Sequence, residues 1–184
     1  MPEDTSREYL EETRHLFRTY KQMAESAMAQ VAEADLFRQL DGESNSLAII
    51  ARHIGGNLRS RWTDFLTSDG EKPDRHRDSE FEQSVAKRED MMASWDAGWS
   101  AVLSALDSLS GEDLRRTVYI RGQGHSVLKA IQRSLAHTAS HVGQIVFLSK
   151  HLCGARWKTL SIARGKSQEF TRALSETGGN SPSR

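Results

Sequence analysis

Proline stands at only three positions in this 184-residue chain, 2, 73 and 182, and none falls inside a long apolar-periodic stretch. Proline removes a helical hydrogen bond and clashes with the preceding turn, so its absence leaves long helices unobstructed. Four segments have the pattern to use that freedom. The first runs from about Thr5 to about Glu33, with Leu10, Phe17, Tyr20, Ala24, Ala27 and Val31 recurring mostly at three- and four-residue steps. The second follows a cap at Ser44 or Asn45 and carries an inward stripe of Leu47, Ile50, Ile54, Leu58, Trp62 and Phe65, ending near Thr67. The third is expected to open on a capping box of Ser79 and Glu82 and to pass through Val85, Met92, Trp95, Trp99, Val102 and Leu106, ending near Leu109. The fourth is capped by Ser126 and runs to about Leu152, with Leu128, Ile131, Leu135, Val142, Ile145 and Leu148 inside and Gly154 just beyond. These stripes predict an all-α four-helix bundle.

The connections read differently. SDGEKPDRHRD (68–78) gathers glycine, proline and charge, the composition of an exposed link. Between the third and fourth helices, Thr117, Val118, Tyr119 and Ile120 are strand formers, and Gly122 and Gly124 are turn residues, which predicts a short extended crossover or small hairpin. After Ala155 too few apolar residues remain for a further core helix, although Trp157, Leu160, Ile162 and Phe170 can strap the bundle. We expect one domain over 1–177, with 178–184 a disordered tail.

Lysine plus arginine equals aspartate plus glutamate, 25 each, so net charge gives no reason to expect a nucleic-acid partner or an anionic membrane. The polar N-terminus has no apolar leader, and no stretch approaches the about 20 apolar residues of a membrane span. A cytoplasmic protein is the expectation. The single cysteine, Cys153, agrees with a reducing compartment and reads as a small buried residue near a helix end.

Chemistry concentrates in three histidines. His137 and His141 stand one helical turn apart in SLAHTASHVGQIV, and residues at that spacing project from the same side of a helix. His53 lies in IIARHIGGN, flanked by Ile50 and Ile54 at a core edge. Unpaired imidazoles at core edges are poorly solvated, and a shared metal ion satisfies all three while leaving coordination positions open. Three separate histidines, each satisfied by a carbonyl or hydroxyl, account for the same spacing. Thr138, Ala139 and Ser140 supply no glutamate of the HExxH kind, so peptide hydrolysis by that mechanism has no support.

Gln144 and Asn57 share faces with these histidines and can orient them, touch a substrate, or bond between helices. Trp62, Trp95 and Trp99 are read as core. Arg59 and Arg61 can bind an anion, but salt bridges to the acidic SDGE or EFE segments are the safer expectation. His15, His76, His125 and His151 are read as surface or structural residues.

Together, His53 within HIGGN and His137 and His141 within HTASHVGQI resemble the DinB-like (YfiT/DinB) superfamily of bacterial four-helix bundles. In that group one histidine on the second helix and an HxxxH pair on the fourth converge on a divalent metal. The stretch NSLAIIARHIGGNLRSRWTDFLTSDGEKPDRHRDSEF and the closing TLSIARGKSQEF resemble a branch known only as a domain of unknown function. The likeness covers roughly residues 5–172. It implies a left-handed-connected bundle, often a homodimer, with Zn or Ni, or alternatively Fe, held by His53, His137 and His141. It also implies, as one possibility, transfer of a low-molecular-weight thiol to a small electrophile, the activity of some superfamily members. The competing reading is a non-enzymatic protein that binds a metal or small ligand in a stress response; a bundle whose site has no present use is a third.

Overall fold

The computed structural model describes residues 3–82 and 87–176. The chain is mostly helical: α1 (Glu3–Met28), α2 (Glu33–Leu36), α3 (Leu47–Trp62), α4 (Arg88–Ser108), α5 (Val127–Cys153) and α6 (Ser167–Glu176), with strands β1 (Thr117–Ile120) and β2 (Gln123–Ser126) between α4 and α5. Among the four long helices, α3 packs on α4 and α5, and α1 packs on α5 and α4. The expected stripes meet in one continuous core that includes Phe17, Ile54, Leu58, Trp95, Trp99, Ile131 and Ile145. Trp62, Trp95 and Trp99 are all buried, as read from their spacing. No helix among the described residues is long and apolar enough to cross a membrane.

Two glycines let α3 and α4 approach closely. A Cβ on Gly55 of α3 would stand 2.5 Å from Ser94 O of α4, and one on Gly98 of α4 would stand 2.7 Å from Gly55 Cα. The two backbones therefore touch where side chains would ordinarily separate helices by about 8–10 Å. This contact fixes the position of α3, and with it His53.

Several boundaries differ from the sequence expectation, each for a local reason. α1 ends at Met28 rather than near Glu33, where Val31 N bonds Met28 O at 3.2 Å and tightens the turn. The cap of α3 is Ser46, whose Oγ accepts from Ile49 N at 3.2 Å. Ser44 is diverted, because its hydroxyl donates to Asp41 Oδ2 at 2.8 Å. α3 stops at Trp62, and Phe65 reaches the core from the following turn, stacked on Trp62 at 4.4 Å between centroids. Ser79 and Glu82 form no capping box. Ser79 Oγ donates to His76 O at 2.7 Å, Asp78–Phe81 is a single 3-10 turn, and α4 begins at Arg88. Val85 lies outside the described residues, as does the tail 178–184 for which disorder is the expectation.

The crossover is a hairpin: β1 pairs antiparallel with β2, Val118 opposite His125 and Ile120 opposite Gln123. Val118 and Ile120 point inward and Tyr119 is exposed, the alternation of a half-buried strand. Ser126 caps α5 as expected, accepting from Lys129 N at 3.2 Å, and Gly154 ends it with φ of +54°. Of the expected strap, Trp157 and Leu160 pack on the core, Phe170 is half-buried and Ile162 is exposed. α6 buries no residue.

Candidate metal centre

His53 is placed by α3 with 4% of its surface exposed. A buried imidazole needs partners for both nitrogens. Its Nδ1 donates to Glu80 Oε2 at 2.9 Å, which fixes the tautomer and leaves the lone pair on Nε2. Glu80 is itself buried, carried by the 3-10 turn Asp78–Phe81. Arg75 grips it with a fork, Nε to Oε1 at 2.8 Å and Nη2 to Oε2 at 2.9 Å. Gly56 makes room, since a Cβ there would stand 2.9 Å from Glu80 Cδ. The ring of Phe81 covers His53 at 4.8 Å between centroids.

The other two imidazoles come from α5, one turn apart and half-buried. His137 Nε2 lies 3.2 Å from His53 Nε2. His141 Nδ1 donates to Gln144 Oε1 at 2.9 Å, so its lone pair is on Nε2. The ring centroids are 5.2 Å apart for His53 and His137, 4.9 Å for His53 and His141, and 4.6 Å for His137 and His141. One nitrogen from each ring lies within 4.8 Å of the others. Among the described residues no other group of three or more His, Cys, Asp or Glu reaches this proximity.

The donor set fits a metal ion. Two nitrogens bound to one tetrahedral zinc at about 2.0–2.1 Å stand about 3.3 Å apart, and the His53–His137 separation of 3.2 Å is close to that. Carboxylate, imidazole and lone pair lie in the order that metal-binding histidines commonly adopt. Three protein donors also leave at least one coordination position free, as an open site requires.

A family model described as "Protein of unknown function (DUF1572)" matches residues 4–166. The chain belongs to the DUF1572 family. No curated protein matches the chain significantly. The family description names no activity, so the chemistry of this DUF1572 site is argued from its residues.

Electrostatics favour the metal-binding form of the histidines. Burial, then the neighbouring His141, His53, Arg75 and Arg61, pushes His137 from 6.5 down to about 4. Burial also lowers His141, against an opposing hydrogen bond from Gln144. Both are neutral at pH 7 and can offer a lone pair. Burial alone would raise Glu80, but its hydrogen bonds to His53 and Arg75 and the charge of Arg75 outweigh this and hold the carboxyl below its ordinary value. It is an anion that cannot easily be protonated away from His53.

In this DUF1572 chain the three histidines singled out by spacing come together, and Gln144 partners His141 within its own helix. Arg61 pairs with Glu71 of the SDGE segment at 2.8 Å and Arg59 with Asp74 at 3.3 Å. His15 is half-buried, His76 and His151 are exposed, and His125 is buried with neither ring nitrogen hydrogen-bonded; none joins the cluster. Sequence reasoning missed Glu80 and Arg75, which lie in or beside the run taken for an exposed link. The only trace of them was the paired glycine of HIGGN, a helix interior made small for no local reason.

Proposed function

We propose that the chain is a divalent-metal protein with a DinB-type four-helix bundle, in which His53, His137 and His141 hold Zn or Ni, or alternatively Fe. The reading rests above all on one observation, the 3.2 Å separation of two imidazole nitrogens with Glu80 holding the proton on the far side of His53. The mutual packing of α1, α3, α4 and α5, with the histidines on α3 and α5, supports the bundle type.

The reaction we propose is transfer of a low-molecular-weight thiol to a small electrophile. An ion held at this site supplies a Lewis acid that favours a thiolate over a thiol. The chain's own contribution is positional: Glu80 and Arg75 fix the His53 ring, Gln144 fixes His141, and a cavity beside His53 and His137 gives a small molecule access. A non-enzymatic binding role is the second reading. It is favoured by the absence of any Asp or Glu from the cavity wall among the described residues, while Glu80 is already engaged by His53 and Arg75.

Metal content by elemental mass spectrometry, on protein purified without an affinity tag, tests the site. Near-stoichiometric metal that disappears in both His53→Ala and His137→Ala is expected. Metal-free wild type that also refuses added Zn and Ni would return the three histidines to structural roles. Conjugation of bacillithiol, mycothiol or glutathione to a model electrophile, above the His53→Ala background, then separates enzyme from binding protein.

A further inference from the structure

The cavity beside the histidine centre has a volume of about 200 Å³, with His53 and His137 in its wall. Drug-sized ligands occupy pockets of about 300–1,000 Å³, so this one suits a smaller molecule. Among the described residues its wall carries five guanidinium groups, from Arg61, Arg75, Arg77, Arg121 and Arg133, and no carboxylate. They arrive from four separate parts of the chain: α3, the segment before Asp78–Phe81, the hairpin turn and α5.

Three of these five groups share two carboxylates. Glu71 is shared by Arg61 at 2.8 Å and Arg121 at 3.0 Å, and Glu80 serves Arg75 at 2.8 Å. Arg77 meets the fully exposed Asp78 at 3.9 Å and lies over the Phe81 ring, 5.1 Å from its centroid. Arg133 has no hydrogen bond or ion pair among the described residues, and it stands one turn before His137 on the same face of α5. Against the five guanidinium groups stand Glu71, Glu80 and, nearer solvent, Asp78 and Asp69, which still leaves a positive excess around a small space. Like charges gathered in this way repel, and an anion relieves them.

Two further details point the same way. Arg121 sits at φ of +55°, a left-handed conformation that asparagine or glycine adopts more readily. Asp69 holds it there, accepting from Arg121 N at 2.8 Å and Gly122 N at 2.7 Å. Ser134 Oγ, buried in the cavity wall, accepts from Trp62 Nε1 at 3.0 Å and so keeps its own proton to donate.

We propose that this cavity binds a small anionic molecule by a carboxylate or phosphate group, held by Arg133, Arg77 and Arg121, with the rest of the molecule facing the histidine centre. Arginine suits the task because its planar fork matches both oxyanions. The proposal names the substrate class of the site proposed above and rests on that reading for any chemistry, although the binding itself needs only the arginines.

The test is titration calorimetry of the full chain with succinate, inorganic phosphate and uncharged succinamide, with metal content measured on the same samples. Wild type is expected to bind one anion per chain and to ignore succinamide. Arg133→Gln and Arg77→Gln, both at exposed positions, are expected to weaken binding at least about tenfold each, as loss of a charge-assisted contact does, while melting with wild-type cooperativity and retaining metal. Preference for succinate assigns a carboxylate ligand, and preference for phosphate a phosphate ligand. Metal-loaded wild type that binds neither anion overturns the proposal and leaves the metal reading intact. Binding undiminished in both variants also overturns it. Anion binding that falls in the variants of a protein unable to hold metal would sustain the anion site and remove the metal reading.

Discussion

The two sides of the histidine cluster are built in opposite ways. His53 is almost fully buried and held by groups remote in sequence, Glu80, Arg75 and the ring of Phe81, with Gly56 of its own helix leaving room for Glu80. His137 and His141 are half-buried, placed by the period of their own helix, and the partner seen for His141 is three residues away. One side is a preassembled anchor and the other a pair of arms on a continuous helix. Precision in such a site comes from the side whose supports are locked by packing, because a ligand held only by its rotamer loses entropy on binding.

Changes at the anchor should therefore cost more than changes on α5. The largest effect is expected at the crossing that sets α3 in place. Gly98→Ala would gain about 1 kcal/mol of helix propensity, but its Cβ would strike the backbone of Gly55. With neither helix able to yield cheaply, we expect net destabilisation of about 2 kcal/mol or more. Urea unfolding measures it, and a variant as stable as wild type would show that α3 and α4 can separate.

Glu80→Gln comes next. It keeps the shape but removes the charge that fixes His53 and receives the Arg75 fork. Metal affinity is expected to fall about 10- to 100-fold, read by competition with a chelating dye. Gln144→Ala should cost a few-fold at most, because His141 has only a neutral partner to lose. Equal losses in the two variants would erase the contrast between anchor and arms.

At half-buried His137, where solvent screening damps the effect, the metal-free protein should show a pH dependence. His137 titrates near 4 when folded and near its ordinary 6.5 when unfolded, so between these values the unfolded chain binds more protons. Stability is then full above pH 6.5 and falls as pH drops toward 4. Unfolding at pH 7 and pH 5 in the presence of a chelator should show this slope, and His137→Gln should flatten it. An unchanged slope would place His137 in a more solvated setting than its burial indicates.

Much of this architecture was legible beforehand because it is local. A 3.6-residue period, a serine before an apolar run and a glycine after it specify α5 from Ser126 to Gly154, and that helix places His137 and His141 side by side. The inward faces of Trp62, Trp95 and Trp99 follow from the same arithmetic. The segment from 68 to 82 was not legible in this way. Its glycine, proline and charges mark a link, and they do so whether its side chains face solvent or a buried site. Glu80 resembles any other surface glutamate until Gly56 gives it room and Arg75 gives it a partner.

What the sequence by itself determined, then, was the set of long helices, the buried tryptophans and the histidine pair on α5, since each depends on residues within a turn or two of one another. Only the tertiary structure decided that His53 meets His137 across 84 positions and Glu80 across 27. It also decided that five arginines surround one cavity. Those meetings depend on how helices cross and loops return, and the crossing is set by packing terms such as the contact of Gly55 with Gly98, which leave no period along the chain.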